Sequence, residues 1–384
     1  MVSAALVATT SSALPVFLVG GLAVQMSEDL GFGTARLGAL ATIYFASSAV
    51  SSIPAGRLVE RVGTYRGLLL SAALSCASLL GAATIGRTWA LLAAFLVLGG
   101  VANSVGQPAA NLLIARGVRP QRQGLAFGIK QGAIPVASFL AGAAVPLLAL
   151  TVGWRWAFAA GVIGPVALVY LAPRTGMTPP RRTSRRLREG DSPVAGLVVI
   201  ATAACFSVAA ANALGTFLVS AMVARGVSPS TAGIMLATGS AAGIAGRVYS
   251  GWRADRGSGR PLRTVGWMLA AGAVGFAMLA SLEAVPSLIL ATLVAFGAGW
   301  GWGSLLVYAV VRANRNAPAA ATGITQTGLY LGGVLGPMLF GLVSEQWSFE
   351  AGWWMCAAFQ IVGAVMILVG ERLMVATASA PVED

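Results

Sequence analysis

The chain has 384 residues, of which 57% are hydrophobic and only 10% are charged, and its formal net charge at pH 7 is +13. Soluble domains carry about 25% charged residues, so water would not solvate this surface and we expect the chain to lie in a bilayer. Because the arginines cluster between apolar stretches, the positive charge indicates loops at a membrane surface and argues against a nucleic-acid-binding protein.

Twelve apolar runs follow one another along the chain, and a membrane-spanning helix needs roughly 20 such residues. The runs cover residues 3–25, 37–56, 67–85, 89–113, 123–150, 155–173, 194–222, 230–251, 264–282, 286–311, 317–343 and 351–370. The sequence therefore predicts an all-α membrane protein with twelve transmembrane helices in two six-helix bundles. Met1 runs almost directly into the first run without a cleavable signal pattern, which leaves open whether an N-terminal tail is missing.

Residues 174–193 lie between the sixth and seventh runs and hold six arginines, three prolines and almost no apolar side chain. Such a segment predicts a linker between an N-terminal domain, 1–173, and a C-terminal domain, 194–384. The loops on the linker's side of the membrane hold 19 arginines, whereas the loops on the other side hold four. Because positively charged loops stay in the cytoplasm, we expect the linker and both termini to be cytoplasmic, in the plasma membrane of a bacterium.

An offset of 195 residues relates the two halves. It carries GRLVER at 56–61 onto GWRADR at 251–256, Gly38 onto Gly233, and GIKQ at 128–131 onto GITQ at 323–326. One offset shared by three separated segments indicates a duplicated six-helix unit. Transporters built from such parallel repeats bind their substrates between the halves, near the middle of the membrane.

The loop after the second run, Gly56-x-Leu58-x-Glu60-Arg61-x-Gly63-x-x-Arg66, resembles the loop signature of the major facilitator superfamily. Its second-half copy is Gly251-x-x-x-Asp255-Arg256, and with the twelve runs and the duplication the resemblance covers essentially the whole chain. It implies secondary transport by alternating access between two rocking halves. The first copy departs from the usual pattern, since it has Glu60 where aspartate is commonest and Thr64-Tyr65 where a basic residue often follows.

The paired loop motifs predict a gate on the linker side. Its residues are Gly56, Glu60 and Arg61 in the first half and Gly251, Asp255 and Arg256 in the second. A glycine allows two helices to approach closely, an acid can face the N-terminus of a neighbouring helix, and an arginine can pair across the seam between the halves. The simpler interpretation is a turn glycine among the positive charges of a cytoplasmic loop.

All twelve acidic residues fall in loops, termini or helix ends, and the sequence has no histidine. Proton relays in transporters use buried Asp, Glu or His, so the sequence offers no side chain for one. It also contains no metal-binding cluster and no nucleotide-binding segment. We therefore expect that the protein is not an enzyme and binds no cofactor or metal.

Two cations lie inside apolar runs: Lys130 in the fifth run and Arg247 in the eighth. Lys130 is the only lysine in the sequence, which has 24 arginines. Each costs about 3 kcal/mol at the middle of a membrane, and snorkelling of the charged heads to the cytoplasmic surface is one explanation. The family resemblance, however, implies that the fifth and eighth helices meet at the central seam, where two uncompensated cations would form an anion site. The placement of Arg247 also resembles that of the arginine in monocarboxylate and oxalate/formate carriers that engages the substrate's carboxylate.

Polar and aromatic side chains in the runs provide a candidate lining for this site. They are Asn103, Gln107 and Asn111, which share one face of the fourth helix, the repeat-related Gln131 and Gln326, and the aromatic residues Tyr44, Trp302 and Tyr330. Any of them would equally serve as a contact between helices.

The sequence therefore predicts a secondary transporter for a small organic anion such as a carboxylate, bound by Lys130 and Arg247. The alternative is a drug or metabolite exporter with a largely apolar cavity, in which both cations are structural. The fifth helix lacks the glycines and the Gly-Pro that mark many drug/proton antiporters, although the eleventh carries a similar set between Gly323 and Pro337. We expect a monomer in the lipid bilayer whose partner is its small-molecule substrate, with no nucleic acid bound.

Overall fold

The computed structural model describes residues 1–119, 122–173, 193–255, 260–314 and 318–378, and within these ranges the chain is helical, with no β-strand. The helices of the first half are α1 (Val2–Gly21), α2 (Ala23–Leu30), α3 (Thr34–Val62), α4 (Thr64–Thr84), α5 (Trp89–Gly117), α6 (Gln123–Ala144), α7 (Trp154–Gly161) and α8 (Ile163–Leu171). Those of the second half are α9 (Val194–Ala224), α10 (Pro229–Asp255), α11 (Pro261–Ser281), α12 (Val285–Gly297), α13 (Gly303–Ala313), α14 (Pro318–Gln346) and α15 (Phe349–Ala378).

These helices form the twelve predicted spans. The fifth span is α6 continued by a π-helical turn, Val145–Ala149, and the sixth is α7 followed directly by α8. The tenth is α12 followed by α13 after a break at 298–302. Ten spans in the described ranges are long and apolar enough to cross a membrane; the other two are α10, which is rich in small residues and carries Arg247, and the broken tenth span. The all-α prediction of twelve membrane helices is confirmed.

Successive spans run in opposite directions, so their connections alternate between two faces of the molecule. We call the face at which the sixth span ends, at residue 173, and the seventh begins, at residue 193, the linker face and the opposite one the far face. The signature loop lies on the linker face and consists of Gly63 alone, whose φ of 84° glycine adopts without steric cost. Which face is cytoplasmic stays a prediction.

The two halves pack against each other mainly through α6 with α10 and α3 with α14. Gly38 on α3 lies against Pro337 of α14, and Gly233 on α10 lies against Gly142 of α6. The offset of 195 carries Gly38 onto Gly233 and Gly142 onto Pro337, so the two contacts are related by the repeat. The halves are therefore pseudo-symmetric bundles, while the domain limits stay a prediction because 174–192 lie outside the described residues.

The outer surface of the molecule carries large apolar side chains. Val50, Trp267 and Trp347 are 82%, 74% and 71% exposed. A monomeric soluble protein does not expose apolar surface on this scale, and tryptophan is enriched where membrane meets water. The surface thus fits a protein whose solvent is lipid.

Two ion pairs tie helix ends together at the far face. Arg155 Nη1 lies 2.7 Å from Asp29 Oδ2, and Arg225 Nη2 lies 2.8 Å from Glu350 Oε1. The hydrogen bond from Arg155 holds the pKa of Asp29 below its ordinary value. The first pair is therefore intact at neutral pH and is lost only as the pH falls through that lowered pKa, and its exposure to water keeps its contribution small.

Candidate functional site

Lys130 and Arg247 are buried in the contact between the two halves. Lys130 on α6 is 2% exposed, and Arg247 on α10 is 5% exposed. Instead of reaching the linker face, both charged heads end on polar groups of neighbouring helices. The packing of α6 against α10 brings the two cations to the same seam.

The ammonium group of Lys130 donates to two side-chain amides. Its Nζ is hydrogen-bonded to Oε1 of Gln107 on α5 and, at 3.4 Å, to Oε1 of the adjacent Gln131. Gln107 donates through Nε2 to Asn103 Oδ1 at 3.2 Å, and Asn103 donates through Nδ2 to Ser48 Oγ at 2.8 Å. We call Ser48, Asn103, Gln107, Lys130 and Gln131 the polar chain, which runs from α3 through α5 to α6.

Helix geometry positions this chain. Asn103 and Gln107 are four residues apart on α5, so their amides lie one above the other on the same face. On α6 a glycine precedes Lys130 by two residues, and a Cβ at this Gly128 would lie only 3.0 Å from the backbone oxygen of Arg247. The absence of a side chain at Gly128 therefore lets the α6 and α10 backbones approach closely beside the cations.

The guanidinium of Arg247 is held by two backbone carbonyls. Its Nε donates to Trp300 O at 3.1 Å and its Nη1 donates to Gln131 O at 2.8 Å. The Trp300 carbonyl is available because it lies in the break between α12 and α13, where carbonyls lose their helical partners. The guanidinium carbon also lies 5.6 Å from the Trp300 ring centroid, within the range of a cation–π contact.

Within the described ranges of the chain, the site holds two positive charges and no carboxylate. Among the described residues the ion pairs join Asp29 to Arg155, Arg225 to Glu350 and Arg263 to Glu371. Every protein group that receives a hydrogen bond from either cation is neutral, and the two cations repel each other. Buried charges are costly unless they are paired, so an anion between them would be stabilised.

Among the described residues, the other predicted lining residues make no hydrogen bond with Lys130 or Arg247. The Tyr44 hydroxyl donates to Ser12 O at 2.8 Å and joins α3 to α1. The Trp302 indole donates to Gly299 O at 2.9 Å within the core of the second half. Asn111 and Gln326 are exposed, and Tyr330 is half-buried. The structure thus brings together Lys130, Arg247, Gln131, Gln107 and Asn103 and leaves these five outside the hydrogen-bonded group.

Asn212 on α9 is a candidate that the sequence analysis did not name. It is 6% exposed, and its side-chain amide makes no hydrogen bond within the part of the chain that the structure describes. A Cβ added at Gly333 of α14 would lie 3.3 Å from Asn212 Nδ2 and 3.2 Å from Phe45 of α3. The amide therefore lies where helices of both halves meet. A lone asparagine in a 31-residue apolar helix was the signal that could have identified it.

The predicted gate residues of the two halves differ in how closely they are packed. Gly251 is buried against Gly124 and Gly128 of α6, whereas a Cβ at Gly56 would meet no atom of the described chain within 4 Å. Glu60 and Arg61 are exposed. Asp255 is the last residue of α10, its side chain is not described, and Arg256 lies outside the described residues. The gating role stays a prediction.

The family model described as Major Facilitator Superfamily matches residues 4–336 and, in a second match, 200–383. The chain belongs to the major facilitator superfamily. An uncharacterized MFS-type transporter of Mycobacterium tuberculosis strain CDC 1551 is 25% identical over 383 residues, covering 95% of this chain and 83% of the relative. A protein of Agrobacterium vitis, provisionally named a tartrate transporter, is 26% identical over 396 residues, covering 92% of this chain and 89% of the relative.

Solved structures of this superfamily share the fold. A bacterial homolog of the human lysosomal transporter Spinster, in an inward-facing and unoccupied conformation, superimposes with a TM-score of 0.76 at 16% identity, covering 99% of this chain and 98% of that one. The D-xylose-proton symporter gives a TM-score of 0.75 at 15% identity, covering 95% and 96%. This superfamily member is thus an integral membrane protein and a secondary transporter, from a family of transporters and not of enzymes.

Proposed function

We propose that this transporter carries a small organic anion, a carboxylate, across the membrane by alternating access. Lys130 and Arg247, from opposite halves, both donate to Gln131, and no acid among the described residues pairs with either cation. This observation carries the proposal. The side-chain oxygen of Gln131 accepts from Lys130, and its backbone oxygen accepts from Arg247. A substrate anion would supply the missing negative charge at the midplane, where parallel-repeat transporters bind.

Both cations retain donors for a ligand. Arginine has five N–H groups, and Arg247 uses Nε and Nη1 on protein carbonyls, which leaves Nη2 for a carboxylate oxygen. Lysine has three, of which two are directed to Gln107 and Gln131. A carboxylate bridging the two heads would form charge-assisted hydrogen bonds to both.

The polar chain would orient the rest of the anion. Asn103, Gln107 and Gln131 are each partly exposed and already linked to Lys130, so a ligand hydroxyl or second carboxylate would exchange hydrogen bonds with them. Asn212 would add an amide from the second half. The name of the Agrobacterium vitis relative refers to tartrate, which is a hydroxylated dicarboxylate, and this supports an anionic substrate.

The alternative is an exporter of drugs or metabolites in which both cations are structural. One observation favours it: Arg247 already ties α10 to α6 and to the broken tenth span through two backbone carbonyls. In that case the guanidinium would serve as a helix connector, and the transported compound would contact the apolar walls.

Ligand-dependent thermal shift of the purified transporter separates the two functions, because a ligand that binds the folded state raises its apparent stability. We expect mono- and dicarboxylates to raise the melting temperature, and sugars and lipophilic cations to leave it unchanged. A shift with lipophilic cations alone would reject the anion proposal in favour of the alternative.

We further propose that the linker face is cytoplasmic, with both termini there, and that the protein works as a monomer in a bacterial plasma membrane. The 19 arginines on that side, against four on the other, support the orientation. Gly56, Glu60 and Arg61, with Gly251, Asp255 and Arg256, would then control access from the cytoplasm.

A further inference from the structure

Two seams make most of the contact between the halves, and the repeat relates them. One seam is α6 with α10, and the other is α14 with α3. The offset of 195 carries α6 positions onto α14 and α3 positions onto α10, so every contact in one seam has a counterpart position in the other. A difference between counterparts is therefore a departure from the duplicated arrangement.

Near the far face the two seams are alike. In the first, a Cβ at Gly142 would lie 2.6 Å from Gly233 O; in the second, a Cβ at Gly38 would collide with Pro337 O. One turn further in, the Ser240 hydroxyl donates to Ser138 Oγ at 2.9 Å. The counterpart pair is also in contact, since a Cβ at Gly333 would lie 3.2 Å from the ring of Phe45. Both seams are closed there.

Towards the linker face the seams differ. The α6–α10 seam stays closed: a Cβ at Gly251 would lie 2.9 Å from Gly128 Cα and 2.8 Å from Gly124 O. The counterparts of Gly251 and Gly128 are Gly56 and Gly323. Among the residues that the structure describes, a Cβ at either of these would meet no atom within 4 Å. The α3 and α14 backbones have therefore separated where their counterparts touch.

The gap between α3 and α14 begins near the level of the polar chain. Ser48, which accepts from Asn103, lies one turn from Phe45 on α3, on the linker side of that contact with α14. Ser48 itself is buried, whereas Asn103, Gln107 and Gln131 are partly exposed. A small molecule that entered the gap from the linker face would thus come to the level of these three side chains.

We propose that the substrate reaches and leaves the site through the gap between α3 and α14, while the α6–α10 seam stays packed as the hinge. The anionic nature of the passing substrate rests on the proposed function; the gap and the hinge do not. In the hinge seam, glycines place backbone against backbone both near the far face and near the linker face, so separating it would lose close packing at both levels. In the other seam the linker half is already apart.

Thiol accessibility tests the gap without any substrate. Gly132 on α6 and Thr327 on α14 are repeat counterparts, so they lie at the same level of the two seams. A side chain fits at Gly132, because an added Cβ would lie 3.8 Å from its nearest neighbour. With the three native cysteines replaced, we expect N-ethylmaleimide to label Thr327→Cys quickly and Gly132→Cys barely. Equal labelling of both positions would overturn the proposal.

Cross-linking tests the hinge. The pair Ser138→Cys and Ser240→Cys staples the α6–α10 seam, and its counterpart Phe45→Cys and Gly333→Cys staples the other. We expect proteoliposomes to retain carboxylate uptake with the first staple and to lose it with the second. Loss with both, or retention with both, would overturn the assignment. If carboxylates fail to shift the melting temperature of the unstapled protein, the proposed function fails, and the labelling result still decides the gap.

Discussion

Lys130 and Arg247 converge on the two oxygens of one residue: the side-chain Oε1 of Gln131 accepts from Lys130 at 3.4 Å, and its backbone oxygen accepts from Arg247 at 2.8 Å. Gln131 follows Lys130 directly on α6, so a single helical step presents both acceptors to cations that belong to different halves. An anion that accepted from the remaining donors of both cations would bind both halves at once.

Substitution of Arg247 separates a ligand contact from a helix connector. Loss of a hydrogen bond to a charged group costs about 1.5–3 kcal/mol, so we expect Arg247→Gln to weaken carboxylate binding roughly 10- to 100-fold. Arg247→Lys should also be impaired, because lysine lacks the planar fork. Arg263→Gln, which removes an exposed arginine at the linker face, is the control and should be near normal. Uptake into proteoliposomes is the measurement, and a fully active Arg247→Gln protein would reject the anion site.

Gln131→Glu places the missing acid between the cations at nearly constant volume. We expect it to raise the melting temperature, because the two charges gain a partner, and to abolish carboxylate binding, because the site is then neutralised from within. The repeat-related Gln326→Glu is exposed and serves as the matched control, with little effect expected on stability. Greater stability with unchanged carboxylate uptake would instead support structural cations.

The contribution of Lys130 to uptake should depend more on its charge than on its shape. It acts as a point charge, so we expect Lys130→Arg to retain part of the uptake and Lys130→Gln to lose most of it, with a raised KM in both. Membrane insertion and the elution profile of the purified variants control for misfolding. Uptake by Lys130→Gln that equals that of the unmodified protein would remove this residue from the site.

Asn212 tests whether the second half supplies a further polar contact. Asn212→Leu removes an amide that has no hydrogen-bond partner among the described residues, so we expect stability to be kept or improved. Substrate affinity should fall roughly 5- to 30-fold if one hydrogen bond to the ligand is lost. Thermal melting and uptake measured on one preparation separate the two effects. Unchanged affinity would show that Asn212 faces no ligand.

The gate prediction concerns the repeated acid of the loop motif. We expect Asp255→Asn together with Glu60→Gln to weaken closure of the linker face and to lower transport more than expression. Labelling of Thr327→Cys should rise in this double variant, since the gap would be open for a larger fraction of the time. No change in labelling or transport would leave the two acids as solvated charges.

The sequence predicted the fold because a backbone within lipid satisfies its hydrogen bonds only in helices or closed barrels, and continuous apolar runs of this length select helices. An offset of 195 reveals the duplication. Lys130 and Arg247 stood out because charge inside an apolar run is rare. The sequence did not reveal the break in the tenth span, because tight backbone contacts among Gly297, Gly299 and Gly301 depend on α10 and α11. Trp302 was predicted to line the site because it is aromatic. In the structure its indole N–H donates to Gly299 O within this break.

That break links the occupancy of the site to the secondary structure of a span. In a continuous helix the Trp300 carbonyl would accept the N–H of Ser304, four residues on; here it accepts Arg247 Nε instead. A carboxylate bound to Nη2 would hold the guanidinium in this position, so the Trp300 carbonyl would stay engaged and the break would be stabilised. By thermodynamic reciprocity, any mutation that favours helix at 298–302 should weaken anion binding, and amide hydrogen exchange there would report whether the site is filled.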